Sequence, residues 1–280
     1  MTKTILHLSD VHFGTHHAPD RARALLRAIE ALAPDVVAVS GDLTQRATPR
    51  QFREARAFLD SIAPPKVVVP GNHDVPLWNV LARFAAPLAR YRRFIATDLE
   101  PRHVDDVVAV LGFDTTRSLT VKNGRVGKGD LEALEGRLAK VPASVCRVLV
   151  CHHPLAATPA AMGESAARGG AEALARLARA GVDVVLSGHV HESHAVHSGD
   201  LFPDLERGVL LVSAGSATSV RGRRTERARS SFNTIVVTPE RLVVMTYLYD
   251  DEGRVFAAGE PRPFPRHGHP ALAREGAEGN

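Results

Sequence analysis

Cysteine is nearly absent from this chain, with two thiols in 280 residues, Cys146 and Cys151. They lie five positions apart in a segment that reads as one strand, so the odd offset sends them to opposite faces at roughly 3.3 Å per residue. A disulfide needs Cα atoms within about 7 Å, which that placement excludes. Reduced thiols of the cytoplasm are the expectation. Long apolar runs are also missing, and none approaches the roughly 18 residues that cross a bilayer. The first residues enter a strand directly, without the apolar core of a secretory leader. We therefore expect a soluble, cytoplasmic protein. Charge of one sign is lacking too: 35 basic against 31 acidic residues leave +4, and apolar residues make up 44%. So small an excess does not imply nucleic acid as a partner. No internal repeat or inter-domain linker is evident, and the length suits a single large α/β domain.

Short apolar runs alternate with helical patterns. Residues 4–8, 35–39 and 66–69 read as strands, separated by helices over 21–33 and 49–62, the second opened by Thr48 as cap with Pro49 behind it. This β-α-β-α-β order predicts parallel strands with covering helices. Further strands are expected at 107–113, 147–151 and 182–186, and helices at 129–140 and 164–180. Residues 77–95 read as a helical stretch broken near Pro87, carrying Trp78, Phe84, Tyr91 and Phe94 among arginines. Beyond about 194 the pattern is strands and turns without helices, at 208–213, 231–238 and 241–249. Residues 1–255 are expected to form the domain and 256–280, rich in Pro, Gly and charge, a flexible tail.

Five of the strands end in side chains that can hold a metal. Asp10 and His12 follow the first, Asp42 the second, and Asn72 and His73 the third. His152 and His153 follow the strand at Cys151, and His189 and His191 the strand at Leu186. Residues two apart leaving a strand project to one side, so Asp10 with His12, and His189 with His191, are expected to converge. Imidazole with carboxylate suits Mn, Fe, Zn or Co, and the lack of thiolate argues against a structural zinc site. Asp10, His12, Asp42, Asn72, His152, His189 and His191 are too many ligands for one ion and enough for two. Any one of them alone would be an ordinary cap, turn or surface histidine. Five such segments in succession are not ordinary.

The motifs Asp10-Val-His12, Gly41-Asp42, Gly71-Asn72-His73-Asp74, His152-His153-Pro154 and Gly188-His189-Val190-His191 together resemble the signature of the calcineurin-like metallophosphoesterase superfamily, over residues 4 to about 215. The resemblance implies an α/β fold of two mixed β-sheets sandwiched between helices, in four layers, with two divalent metal ions at one edge. It implies Asp10, His12, Asp42 and His191 as ligands of one ion, and Asp42, Asn72, His152 and His189 as ligands of the other, with Asp42 bridging. The adjacent His153 leaves the choice of ligand in that segment open, with His152 favoured by the alignment. His73 is similar to the histidine that contacts the phosphate, and Asp74 would orient its ring.

The chemistry so implied is hydrolysis of a small phosphoester by direct attack of a hydroxide bridging the ions, without a phospho-enzyme. Two divalent ions less Asp10, Asp42 and the hydroxide leave about one positive charge, a match for a phosphodiester. Within the superfamily the chain looks most like single-domain bacterial phosphodiesterases of the cyclic-nucleotide type. The alternative is a lipid-linked pyrophosphatase, like those acting on UDP-diacylglucosamine, with residues 77–95 as a cap and peripheral lipid contact. A nuclease or a non-catalytic scaffold fits less well. Arg46, four residues after Asp42, is a candidate substrate contact. The run Arg221, Arg223, Arg224, Arg227 and Arg229 reads either as a phosphate-contacting or as a solvated loop.

Overall fold

The computed structural model describes residues 1–77, 79–118, 122–158, 166–205 and 207–266. Trp78, the start of the expected helix at Glu164, and residues 267–280 of the expected tail lie outside them.

The opening segment folds as the alternation requires. Strands β1 (Lys3–Leu8), β2 (Val36–Val39) and β3 (Lys66–Val68) pair in parallel, with α1 (Pro19–Leu32) and α2 (Pro49–Asp60) as crossovers. The side chain of Thr48 accepts the Gln51 N–H at the start of α2, and Pro49 occupies the first turn, where no N–H is needed. Strands β10 (Ser231–Val237) and β11 (Arg241–Asp250) extend this sheet antiparallel on the far side of β1.

A second sheet contains β4 (Arg102–Val104), β5 (Val108–Gly112), β6 (Cys146–Val150), β7 (Val184–Ser187), β8 (His194–His197) and β9 (Leu210–Ser213). Its order is β4-β5-β6-β7-β9-β8, parallel from β5 to β9 and antiparallel at both edges. Helices α5 (Lys128–Leu138) and α6 (Gly170–Arg179) cover its outer face.

Side-chain alternation sorts the apolar residues into three layers. Ile5, Val36, Ala38 and Val67 of the first sheet meet Val108, Val110, Val148, Val184 and Leu186 of the second in a dry central layer. Leu6, Leu8, Val37 and Val39 point the other way, against α1 and α2. Leu111, Leu149 and Val185 pack beneath α5 and α6. Each fully buried Val or Leu contributes roughly 1.5–3 kcal/mol. Near-continuous apolar strands are thus explained by two buried faces, and the result is a four-layer α/β/β/α sandwich. Cys146 sits in the central layer and Cys151 in the outer one, both unpaired, as their odd spacing required.

The structure departs from two expectations. Residues 256–266 do not belong to a loose tail: β12 (Val255–Ala258) and β13 (Arg262–Pro265) both pair with β11 and widen the first sheet. Their Pro and charge hid the pairing, because these are edge strands that need bury only one side chain, such as Phe256 or Phe264. The region after 194 includes a one-turn helix, α7 (Ser198–Leu201), capped by the His197 side chain. The stretch 77–95 is helical with the expected break near Pro87, as two short helices, α3 (Val80–Ala85) and α4 (Ala89–Phe94). The second belongs to the core, with Tyr91 buried, its hydroxyl donating to the Val68 carbonyl at 3.0 Å. Among the described residues, no helix is long and apolar enough to cross a membrane.

Candidate metal centre

The carboxyl ends of β1, β2, β3, β6 and β7 come together, but they belong to two facing sheets and not to one sheet edge. The gap between the sheets closes around the side chains that follow those strands. Asp10, His12, Asp42, His152 and His191 are all buried there.

The backbone that delivers them is unusual. Asp10, His12, Asp42, His189 and His191 all adopt the left-handed region, with φ of 53°, 50°, 52°, 73° and 58°. Convergence of the Asp-x-His and His-x-His pairs therefore comes from left-handed turns and not from strand alternation. Each such residue costs roughly 1–2 kcal/mol relative to the right-handed region, and Asp and His tolerate it better than most. Backbone strain gathered on one set of polar residues is what functional sites carry. Gly41, at φ 94°, makes the close approach possible, since a Cβ there would stand 2.8 Å from the Gly71 nitrogen and 2.9 Å from Nδ1 of His152.

Two clusters share a wall. In the first, Oδ1 of Asp10 faces Nε2 of His12 at 3.3 Å and Nε2 of His191 at 3.4 Å, and Oδ2 of Asp42 lies 3.8 Å from His12 Nε2. In the second, Oδ2 of Asp42 faces Nε2 of His152 at 3.4 Å. There Oδ1 of Asn72 stands 3.0 Å from both Nε2 of His152 and Nδ1 of His189. The remaining carboxylate oxygens hold the site in shape: Asp10 Oδ2 accepts the His189 N–H at 2.9 Å and Asp42 Oδ1 the His73 N–H at 2.8 Å. Among the described residues, three groups of ligand atoms lie within 4.8 Å of one another: Asp10, His12 and His191; Asp10, Asp42 and His152; and His152, His153 and His189.

The donor chemistry fits cations. Asp10 Oδ1 is buried without a hydrogen-bond donor, a costly state for a carboxylate oxygen unless a positive charge sits beside it. Burial favours the neutral forms of His12 and His191, holding His191 at about 3, so their Nε2 lone pairs are available. Burial pushes the Asp10 and Asp42 carboxyls up, but His191 and His12 around Asp10, and His152 and His73 around Asp42, more than offset it. Both end below the usual carboxylate range. His152 behaves differently. Its burial is outweighed by Asp42, which lifts it to about 9. Its Nδ1–H donates to the Ser40 carbonyl at 2.7 Å, so the second proton occupies Nε2, facing Asp42 and Asn72. His191 Nδ1 meets Ser216 Oγ at 2.6 Å, an outer contact of the kind that orients ligating imidazoles.

His153 turns away. Its Nε2–H donates to the Lys122 carbonyl at 3.1 Å and its Nδ1 meets the Thr115 hydroxyl at 2.8 Å, so both ring nitrogens are occupied. His73 stands edge-on to His12, with ring centres 5.0 Å apart, and its Nδ1–H donates to the Gln45 carbonyl at 3.0 Å. That carbonyl, and not Asp74, orients the ring. Asp74 is buried and spends its oxygens on the N–H groups of Leu43, Thr44 and Gly71 and on the Thr44 hydroxyl, binding the two ligand-bearing loops together. A single sequence cannot separate these roles, because the acid two residues after Asn72 suits either.

A cleft of about 180 Å³ opens onto the centre, with Asp42, Asn72, His73 and His189 at its floor and Arg46 on its rim. Gln45, Lys122, Arg221 and Arg223 also line it. The arginines stood out in the sequence only as a run; Lys122 and Gln45 gave no signal.

A four-layer sandwich with imidazoles and carboxylates gathered between its sheets is the arrangement of a hydrolase that works with divalent ions. A sequence profile of the calcineurin-like phosphoesterases matches residues 3–193, and the chain belongs to that family. It is 26% identical over 211 residues to a probable cyclic nucleotide phosphodiesterase of Synechococcus, the match covering 69% of this chain and 75% of the relative. It is 28% identical to a cAMP/cGMP dual specificity phosphodiesterase of Mycobacterium tuberculosis, covering 68% and 62%. A 3′,5′-cyclic adenosine monophosphate phosphodiesterase of Escherichia coli is also 28% identical, covering 59% and 58%. The last two matches thus span under two thirds of those relatives. In fold, the chain superposes on a purple acid phosphatase from yellow lupin seeds with a TM-score of 0.72 at 14% identity, covering 95% of this chain and 54% of that one. A dimetal phosphatase from Danio rerio gives 0.64 at 14% identity, covering 94% and 99%.

Proposed function

We propose that this phosphoesterase hydrolyses a small phosphodiester, a cyclic nucleotide or a compound like it, with two divalent ions held by Asp10, His12, Asp42 and His191 on one side and by Asp42, Asn72, His152 and His189 on the other. The observation that carries this is the shared wall: one oxygen of Asp42 faces imidazoles of both clusters. When bound, such an ion pair supplies Lewis acidity, lowering the pKa of a water and offsetting charge on the phosphoryl oxygens. The chain's own residues do the rest. Asp10 and Asp42 set the net charge, and Asn72 presents a neutral oxygen that adds no further negative charge. His73, its Nδ1–H held by Gln45, keeps Nε2 for the substrate, where it stabilises or protonates the departing oxygen. No side chain is needed as nucleophile in this reading. The two unpaired thiols support a cytoplasmic location.

One observation favours a second reading, a lipid-linked pyrophosphate substrate. Val80, Leu81 and Phe84 of α3 are exposed, and α3 follows Leu77, which lines the cleft. A panel of cyclic nucleotides, bis-p-nitrophenyl phosphate, nucleotide-lipid pyrophosphates, single-stranded DNA and simple monoesters, assayed with manganese, separates the two. Turnover of the diesters is the expected result. Turnover of the lipid pyrophosphate alone would overturn the first reading.

A further inference from the structure

The arginine-rich loop after β9 is held against the metal-binding segment by a buried latch. Glu226 is 5% exposed, although its neighbours Arg223, Arg224, Arg227 and Arg229 face solvent. Its Oε1 accepts the Ser193 N–H at 2.9 Å and its Oε2 the Ser231 hydroxyl at 2.5 Å, while the Ser193 and Ser231 hydroxyls meet at 2.9 Å. Ser193 lies two residues beyond His191. The loop backbone closes the connection: the Arg223 N–H donates to the His191 carbonyl at 3.0 Å, and the Glu226 N–H to the Arg223 carbonyl at 2.8 Å. A carboxylate buried only to brace a solvated loop would be wasteful, since an exposed loop needs no such anchor. The latch fixes a position.

That position belongs to Arg221. It is the least exposed arginine of the run, half-buried, with Nη1 3.5 Å from Nε2 of His12 and 3.5 Å from Oε1 of Gln45. Gln45 belongs to the same turn that orients His73. Among the described residues no carboxylate stands within ion-pair distance of this guanidinium, which meets only an imidazole nitrogen and an amide oxygen, and its fork geometry matches the oxygens of a phosphoryl group. We propose that Arg221 binds a non-bridging phosphoryl oxygen of the substrate at the metal-facing end of the cleft, and that Glu226 is the positioning residue that aims it. This rests on the phosphoester-hydrolase reading above. It adds a third cation to the centre, and so favours groups that reach two negative charges, in the transition state of a diester or in the phosphate product.

The test uses inorganic phosphate as the probe. Phosphate binding to the manganese-loaded protein is measured by calorimetry, alongside metal content and turnover of bis-p-nitrophenyl phosphate, for Arg221→Ala, Arg221→Lys, Glu226→Gln and the Arg221→Ala/Glu226→Gln pair. We expect wild-type metal content throughout. Phosphate affinity and kcat/KM should fall about 10–100-fold in Arg221→Ala, the usual worth of one charge-assisted contact, and recover in part in Arg221→Lys. Glu226→Gln should act in the same direction, and the pair should be no worse than Arg221→Ala alone, because the latch acts through that arginine. Arg227→Ala, on the exposed side of the same loop, should behave as wild type. Unchanged phosphate affinity in Arg221→Ala overturns the proposal, and additive losses in the pair overturn the latch. If the wild-type protein binds phosphate and depends on Arg221 but cleaves no diester, the assigned reaction fails while this site stands.

Discussion

Replacing Asp42 by asparagine removes one charge from the wall common to both clusters while leaving its shape. The Oδ1 atom that accepts the His73 N–H at 2.8 Å survives as an amide oxygen, so the loop geometry has no reason to change. A unit charge about 4 Å from another is worth roughly 4 kcal/mol at an effective dielectric of 20, and more against a divalent ion. Each site should therefore bind manganese at least about 10³-fold more weakly. Metal-free stability should fall by up to about 3–5 kcal/mol, because His152 loses the partner of a buried ion pair. Calorimetric titration with manganese gives the affinities, urea unfolding in EDTA the stability, and bis-p-nitrophenyl phosphate turnover should be almost lost. A variant that keeps either metal at wild-type affinity refutes the bridging role, and a loss of stability in EDTA beyond that range shows that Asp42 is structural.

His73→Ala should retain both metals and lose about 10²–10⁴-fold in kcat, the range for one acid–base or electrostatic group; loss of metal content would assign it to the ligand set instead. Removing metal with EDTA should abolish turnover, and manganese should restore it, whereas activity that survives chelation would exclude the metal reading. His7, fully buried with its Nε2 2.9 Å from Ser40 Oγ, is pushed by burial from 6.5 to about 3. The unfolded chain therefore takes up its proton first, and stability present above 6.5 is lost as pH falls toward 3, by about 2 kcal/mol at pH 5. His7→Gln should lose that part of the slope in urea unfolding with EDTA at pH 7.5 and 5, and an identical slope would place the effect elsewhere. Tyr91→Phe strips a donor from the buried Val68 carbonyl and should cost about 1–2 kcal/mol in the same assay, with turnover unchanged; a neutral change would mean water replaces the hydroxyl.

How much of the fold and site was legible in the sequence depends on what each residue answers to. The strands from β1 to β3 and the ligands after them announce themselves because apolar burial and polar chemistry change over within two residues, as at Val39-Ser40-Gly41-Asp42. The helix start at Thr48-Pro49 is equally local. Two sheets instead of one could not be read from periodicity, since β6 and β2 are equally apolar, and only the resemblance of the motifs supplied it. The missed strands are all edges: β4 with Arg102 and His103, β8 with His194 and His197, β12 with Val255 and two alanines, and β13 with two prolines. Each buries little, so each lacks an alternating apolar signature. Asp74 shows the limit within the site. Its four hydrogen bonds go to groups about thirty residues back and three residues back, a pairing that exists only after the loops meet. Arg221 has the same difficulty: it differs from Arg223 and Arg227 in where the latch sends it, not in type.

The proposed reaction depends on one oxygen of Asp42 standing between two cations. Anomalous difference maps at the manganese edge, from crystals grown with that ion, test it directly. Two peaks are expected, one among Asp10, His12 and His191 and the other among Asn72, His152 and His189, with Asp42 between them. A single peak, or none at these residues, would contradict that placement.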